Sequence, residues 1–280
     1  MLKPIIPPPT EQEIAEICRI INETLGFNYT SQKKYLIENR LNKHLRELGL
    51  DSYQAYLSLL RQNPIERTTL CELLTTNVTY FFREAKQFEF LADTLLPALA
   101  REKKAQNKIR CWSAGSSSGE EAYSIAITCR EVLGSGWDIK VLATDISTKQ
   151  LDIGSKGIFP AEKGKFVPQQ WRLKYFLPHG EKKEYFKIHP ELRRDVIFRQ
   201  ANLLDFNSLP SHIRVDFIFC RNVFIYLSKE ARALSLDHFY NRLNTGGYLF
   251  LGHSETIDTS KDCRWVPLGK SIYRKRQVSV

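Results

Sequence analysis

The stretch Trp112-Ser-Ala-Gly-Ser-Ser-Ser-Gly-Glu-Glu-Ala-Tyr-Ser124 decides the fold. Ahead of it, Lys108-Ile-Arg-Cys-Trp112 alternates polar and apolar residues as a short strand does. Behind it, Tyr123-Ser-Ile-Ala-Ile-Thr-Cys-Arg130 carries apolar residues at helical spacing. Gly115, three serines and Gly119 lie between. A strand, a turn of small residues and a helix N-terminus together make a seat for a polar ligand. Glu120 and Glu121 open the helix. Acids are common there as partners of the helix dipole. A phosphate, however, would be repelled by two carboxylates, so the pair favours a ligand with a cationic or hydroxyl-rich part.

Moving outward, the pattern after residue 108 is strand and helix in alternation. Strands are expected at 137–145, ending in Asp145, at 196–200, leading to Asn202, at 215–220 and at 247–252, with a helix over about 228–243. Such repeats predict an α/β fold with a mainly parallel, doubly wound sheet and a ligand beyond the strands' carboxyl ends. Residues 160–195 interrupt the alternation with aromatic-rich pieces around a Pro-His-Gly turn at 178–180, and predict a small antiparallel β insertion.

The first part of the chain differs. Residues 1–9 are Pro-rich and predict a flexible leader. Thr10-Glu-Gln-Glu13 is a capping box, and Ile14, Ile17, Cys18, Ile21 and Leu25 form a helical stripe ending at Gly26. Ser31 is expected to cap a second helix, with Tyr35, Leu41, Leu45 and Leu48 inward and Gly49 ending it. Asp51 is expected to cap a third, and Asn63-Pro64 to start a fourth. Residues 10–75 thus predict an all-helical N-terminal domain, 76–107 a linker motif and a long amphipathic helix, and 108–280 the α/β domain. The second helix carries Lys33, Lys34, Arg40, Lys43 and Arg46 against Glu38 and Glu47, which makes it the candidate face for a protein partner.

The 280 residues have a formal net charge of +10, which suits an acidic partner. Six cysteines lie scattered without CxxC spacing, several inside apolar runs. That fits free thiols in a reducing compartment, argues against structural zinc and predicts a cytoplasmic protein without metal. No stretch is long and apolar enough to span a membrane.

Asp145 ends the strand after the glycine turn, where nucleotide-binding α/β folds place an acid on ribose hydroxyls. Asn202 ends the next strand, where it suits an adenine edge with Leu203 on the ring face. An adenosine with a cationic tail facing Glu120 or Glu121 fits S-adenosylmethionine better than a nicotinamide or phosphate cofactor. The lack of a GxGxxG run and of a P-loop agrees.

Thr76-Asn-Val-Thr-Tyr-Phe-Phe-Arg-Glu84, Trp112-Ser-Ala-Gly115 with Gly-Glu-Glu121, Thr144-Asp-Ile146, Asn202-Leu-Leu204, Phe219-Cys-Arg-Asn-Val-Phe-Ile-Tyr226 and Gly252-His-Ser-Glu255 together resemble the chemotaxis receptor methyltransferases, the CheR family. The resemblance covers residues 10 to about 275. It implies a Rossmann-like S-adenosylmethionine-dependent methyltransferase sheet, and methyl transfer to glutamate side chains of chemoreceptor cytoplasmic helices. It further implies Asn77, Thr79 and Arg83 at the cofactor and active site, Glu121 at the methionine end, Asp145 at the ribose, and Asn202 and Leu203 at the adenine. Arg221, Asn222 and Val223 would line the site beside Gly115, with Tyr226 near the transferred methyl. Arg83 and Tyr226 are the implied catalytic pair, and His253 and Glu255 are expected to organise a loop. Ala122 stands where members often have proline, and Asp152-Ile-Gly154 is expected to loosen its helix end. The hairpin at 178–188 lacks the glycine-rich loop with which some members grip a peptide at the receptor's C-terminus. That predicts direct docking through the basic second helix by a monomer. Two other readings fit the sequence less well: a methyltransferase for RNA or a small molecule, which lacks interleaved aromatic and basic residues, and a cofactor-binding adaptor without turnover.

Overall fold

A computed structural model describes residues 6–75 and 78–276. The chain divides into two units, one of residues 1–76 and 226–235, the other of 77–225 and 236–280.

In the helical unit, α1 (Glu11–Leu25) starts at the capping box of Thr10 and Glu13 and ends at Gly26 in the left-handed conformation. A 3-10 turn over Ser31–Lys33 precedes α2 (Lys34–Glu47), so Ser31 does not cap α2 itself. Its buried stripe is Ile37, Leu41 and Leu45, one residue every four. Tyr35 and Leu48, expected inward, are 77% and 40% exposed. The 3-10 turn sets the helix phase, and the four-residue spacing from Ile37 leaves Tyr35 outside the stripe. α3 (Tyr53–Gln62) is capped by Ser52, whose hydroxyl accepts from Ala55 N, and not by Asp51. Asn63 caps α4 (Pro64–Leu74), with Pro64 in the first turn. A buried network of His44, Glu66 and Tyr56 ties α2, α3 and α4 together, with Glu66 Oε1 2.7 Å from His44 Nε2 and 2.9 Å from Tyr56 Oη.

In the larger unit, α5 (Ala85–Phe90), a π-helical segment (Leu91–Leu95) and α6 (Leu96–Glu102) follow one another directly. They are followed by β1 (Lys108–Ala114), α7 (Glu120–Leu133), β2 (Asp138–Asp145) and α8 (Thr148–Lys156). The insertion comprises β3 (Ile158–Pro160), α9 (Gln169–Tyr175), β4 (Phe176–His179) and β5 (Tyr185–Ile188). It is a three-stranded antiparallel sheet in the order β3-β5-β4, one strand more than a hairpin. Its aromatic residues explain it: Phe176 and Phe186 stack at 4.1 Å, and Phe81 packs on Phe159, Phe176 and Phe186. A short α10 (Pro190–Arg193) leads to β6 (Val196–Gln200), then β7 (Val215–Cys220). α11 (Lys229–Arg242) runs directly into β8 (Leu243–Leu251), and β9 (Trp265–Gly269) and β10 (Ile272–Lys275) follow.

The main sheet has the order β6-β2-β1-β7-β8-β10-β9. β6, β2, β1, β7 and β8 are parallel, and β10 and β9 add antiparallel strands at one edge. β1 is thus the strand from which the order departs in both directions, which puts the crevice at its carboxyl end. Among the described residues, no helix is long and apolar enough to cross a membrane. All six cysteines are free, five of them buried.

Candidate active site

Gly115 follows β1 with φ +78°, and a Cβ there would lie 2.6 Å from Val223 Cγ2. Glycine is required twice over, by the backbone conformation and by the approach of the loop after β7. The N–H groups of Gly115 and Ser116 both donate to Thr144 O at 2.8 Å, which fastens the turn to β2. Asp145, at the end of β2, accepts from Ser117 N at 2.8 Å through Oδ2 and from Ser147 N at 2.9 Å through Oδ1. Its carboxylate therefore shapes the turn. Ala201 N donates to Asp145 O, which brings Asn202 to the neighbouring strand end. Asn202 Oδ1 accepts from Leu204 N at 3.0 Å. Behind Leu203, whose carbonyl lies 3.4 Å from His238 Nδ1, His238 packs against Trp112. Burial holds the His238 imidazole below its ordinary pKa.

The two acids of α7 go separate ways. Glu120 is fully buried and is paired with Lys163 from the insertion, while Ser118 Oγ donates to it at 2.6 Å. It neither faces solvent nor lies open to a ligand, because the insertion supplies the cation its burial demands. Glu121 accepts from Ser113 Oγ at 2.7 Å and lies 3.4 Å from Arg221 Nε. Burial raises the Glu121 pKa, an effect that Arg221 and the Ser113 hydroxyl oppose and the Glu84 carboxylate reinforces.

Arg221 is the centre of this cluster. Its side chain is 1% exposed, lies over the rings of Phe88 and Phe219, and donates to Arg83 O. Glu84 Oε2 is 3.7 Å from its Nε. Asn222 Nδ2 donates to Glu84 Oε1 at 3.3 Å. Two carboxylates, Glu84 and Glu121, thus face one guanidinium, and His253 Nε2 also lies 3.7 Å from Glu84 Oε2. Arg83 lowers the Glu121 pKa least among the neighbours that act on it. Its Nη1 donates to Val78 O at 2.9 Å, and its guanidinium lies 5.8 Å from the Tyr80 ring centre. Thr79, between them, is half-buried.

The loop that carries Arg221, Asn222 and Val223 is held by Glu255. This buried carboxylate accepts from Gly252 N, Asn222 N and Ile225 N at 2.6, 2.9 and 3.2 Å. Burial raises its pKa against the pull of those N–H groups. Asn222 needs the clamp, since its φ of +59° is costly for a residue with a side chain.

Gly115, Glu121, Asp145, Arg221, Asn222 and Val223 are thus brought together, with Asn202 and Leu203 at the adjoining strand end and Arg83 near Glu121. Tyr226 belongs to the helical unit, where its ring stacks on Phe27 at 5.8 Å. Asn77 lies outside the described residues. Of the basic set, Lys33, Lys43 and Arg46 are exposed and Lys34 is paired with Glu11. Arg40 leaves that face, because Nη1 donates to Leu73 O and Thr75 O at the end of α4. Those carbonyls have no partner within the helix, and a guanidinium supplies one. The sequence reading missed Glu84 as a site residue; its signal was its place directly after Arg83 in the 76–84 motif. It missed Lys163 altogether, since nothing local marks a lysine in an insertion.

The expectation for Gly154 is corrected as well. A Cβ there would lie 2.4 Å from Phe198 Cε1 and 3.0 Å from Ser118 O. α8 continues past it to Lys156, so the glycine permits close packing against the turn instead of loosening the helix.

These residues fit S-adenosylmethionine. Among the described residues, Ser116 Oγ, Ser117 Oγ, Glu84 Oε2 and Arg221 Nη1 are buried without a hydrogen-bond partner, the unmet capacity a polar ligand would use. Two carboxylates that share one guanidinium suit the ammonium group of the cofactor.

Residues 12–75 match the all-alpha domain of CheR methyltransferases, and residues 77–269 match their S-adenosylmethionine-binding domain. A chemotaxis protein methyltransferase of Borreliella burgdorferi is 35% identical over 264 residues, 92% of each chain. Chemotaxis protein methyltransferase 2 of Pseudomonas aeruginosa is 37% identical over 89% of this chain and 88% of its own. The chemotaxis protein methyltransferase of Salmonella typhimurium is 37% identical over 89% of this chain and 85% of its own. The chain belongs to the CheR methyltransferase family, and S-adenosylmethionine is its cofactor.

Proposed function

We propose that this chemotaxis methyltransferase esterifies glutamate side chains on the cytoplasmic helices of chemoreceptors, leaving S-adenosylhomocysteine. The observation that carries the proposal is the cluster of Glu84, Glu121 and Arg221 beside the Gly115 turn, with Arg83 directly next to Glu84 in the chain. The cofactor supplies a methyl group on a sulfonium. An ionised carboxylate is already a nucleophile, so the reaction needs no general base. The protein's work is to desolvate that carboxylate and aim it in line. Arg83, oriented by Val78 O, is the cation for one carboxylate oxygen. Glu121 and Glu84 hold the amino group, and Asp145 and Asn202 the ribose and the adenine. Tyr226 is proposed as the second group at the target, which Tyr226→Phe tests in the same assay.

Docking is assigned to Lys33, Lys34, Lys43 and Arg46 of the helical unit, without a tether on a receptor tail peptide. The partner's glutamates make it acidic, and the chain's charge of +10 complements it. The test incubates the protein with tritiated-methyl cofactor and receptor cytoplasmic fragments. Base-labile label that disappears when the acceptor glutamates are changed to glutamine supports the proposal. Label on added RNA, or binding without transfer, refutes it.

A further inference from the structure

Beside Arg83 the chain exposes apolar side chains that the catalytic reading does not use. Val78 is 69% and Phe166 64% exposed, and Tyr80, 37% exposed, sits between Arg83 and Phe166. The Tyr80 and Phe166 rings are 5.5 Å apart, and the Arg83 guanidinium is 5.8 Å from the Tyr80 centre. Arg83 is in turn bonded to Val78 O, so cation and apolar rim form one assembly. The rim is also held in place. Phe166 lies between Lys163, paired with buried Glu120 at the start of α7, and Val167, which belongs to the core.

Aromatic side chains left in water on a fixed frame mark a contact surface for a partner. The charge beside them specifies the partner: a segment that brings a carboxylate to Arg83 and an apolar side chain to the rings. On a helix, side chains three or four positions apart lie about 5–6 Å apart. The Tyr80 ring, 5.8 Å from the Arg83 guanidinium, is within that reach of a carboxylate held at Arg83, and Phe166 extends the apolar surface a further 5.5 Å. We propose that Val78, Tyr80 and Phe166 select the acceptor, by receiving an apolar side chain one helical turn from the glutamate to be methylated. The inference rests on the reading that protein glutamates are the acceptors. It adds that the choice among them depends on their apolar neighbour.

The test uses the full chain and a receptor fragment carrying a single acceptor glutamate. Phe166→Ala and Tyr80→Ala are expected to raise KM for the fragment about tenfold, with cofactor affinity unchanged and, in Phe166→Ala, which does not touch Arg83, kcat within twofold. Changing the fragment's apolar residue three or four positions from the glutamate to serine should raise KM equally for the wild type. The same change should add little in Phe166→Ala, because the pair then no longer exists. Equal KM for the wild type and both variants overturns the proposal while the wild type still forms base-labile ester. Absence of ester on any fragment overturns the underlying reading as well. A wild-type dimer that Phe166→Ala converts to monomer in light scattering also overturns it, by assigning the rim to a second copy.

Discussion

Replacing Glu121 by glutamine tests the charge arithmetic of the site. Glu84 and Glu121 share the single guanidinium of Arg221, and the side chain of Glu121 also accepts from Ser113 Oγ. Glutamine keeps the shape and an oxygen for that hydroxyl, and removes only the carboxylate's charge. An ammonium about 4 Å from a carboxylate gains about 4 kcal/mol at an effective dielectric constant of about 20. Desolvation offsets much of this, and a charge-assisted hydrogen bond nets about 1.5–3 kcal/mol. Glu121→Gln should therefore weaken S-adenosylmethionine binding about ten- to 150-fold in calorimetry. 5′-Methylthioadenosine, which keeps the nucleoside and lacks the amino acid, should bind the wild type and the variant alike. A variant that binds S-adenosylmethionine within threefold of the wild type refutes the assignment. So does an equal loss for both ligands, which would mean that the turn had collapsed.

The same variant makes a pH prediction. Burial raises the Glu121 pKa in the folded chain above its ordinary 4.5, so folding favours the protonated form. That contribution is complete below the ordinary value and is lost as pH rises through the raised one. At neutral pH the cofactor-free wild type has thus lost stability that it holds in acid, whereas glutamine does not titrate. Urea denaturation should find Glu121→Gln the more stable at neutral pH, with the gap closing on acidification. A gap that widens towards acid contradicts the assignment of the shift to burial.

Arg83→Ala should lower methyl transfer about a hundredfold or more with cofactor affinity reduced far less, as filter assays with tritiated cofactor and calorimetry would report; near-normal turnover removes Arg83 from the chemistry. Glu255→Ala leaves the N–H groups of Gly252, Asn222 and Ile225 without their acceptor and should cost about 2–4 kcal/mol in urea denaturation. Gly154→Ala forces a Cβ to within 2.4 Å of Phe198 and should cost about 1–3 kcal/mol, with Phe198→Leu returning part of it. Arg40→Met should destabilise the chain by about 1.5–3 kcal/mol, since two carbonyls lose a charged donor. Lys43→Glu should leave stability within about 0.5 kcal/mol and weaken receptor methylation, since Lys43 is exposed and its contact with Glu47 is 3.8 Å long.

What the sequence made legible follows from where each signal resides. The parallel strands were legible because each is a short apolar run between turn residues, and Gly115 because a turn from strand to helix needs its conformation locally. α2 was misphased because its start depends on a 3-10 turn, and Tyr35 and Ile37 are both apolar candidates for the same stripe. Glu120 and Glu121 are neighbours in sequence and look equivalent there. They part only because successive helix positions point about 100° apart, one toward Lys163 of the insertion and the other toward Ser113 and Arg221.

That divergence carries the functional argument. Buried alone, either carboxylate would have to gain a proton or a cation. Glu120 takes a permanent cation from Lys163, and the insertion is thereby fixed to the helix that opens the cofactor site. Glu121 shares its cation with Glu84, so the two carboxylates together offer a place for a second positive charge. A site built this way distinguishes its ligand by the amino group as much as by the nucleoside. Glu84→Gln should then weaken S-adenosylmethionine in the same sense as Glu121→Gln, because either change removes one of the two carboxylates that share Arg221. The double variant should weaken it by less than the product of the two, since both act through that one guanidinium. Strictly multiplicative losses would mean that the two carboxylates hold separate parts of the ligand, and the shared-guanidinium account would be wrong.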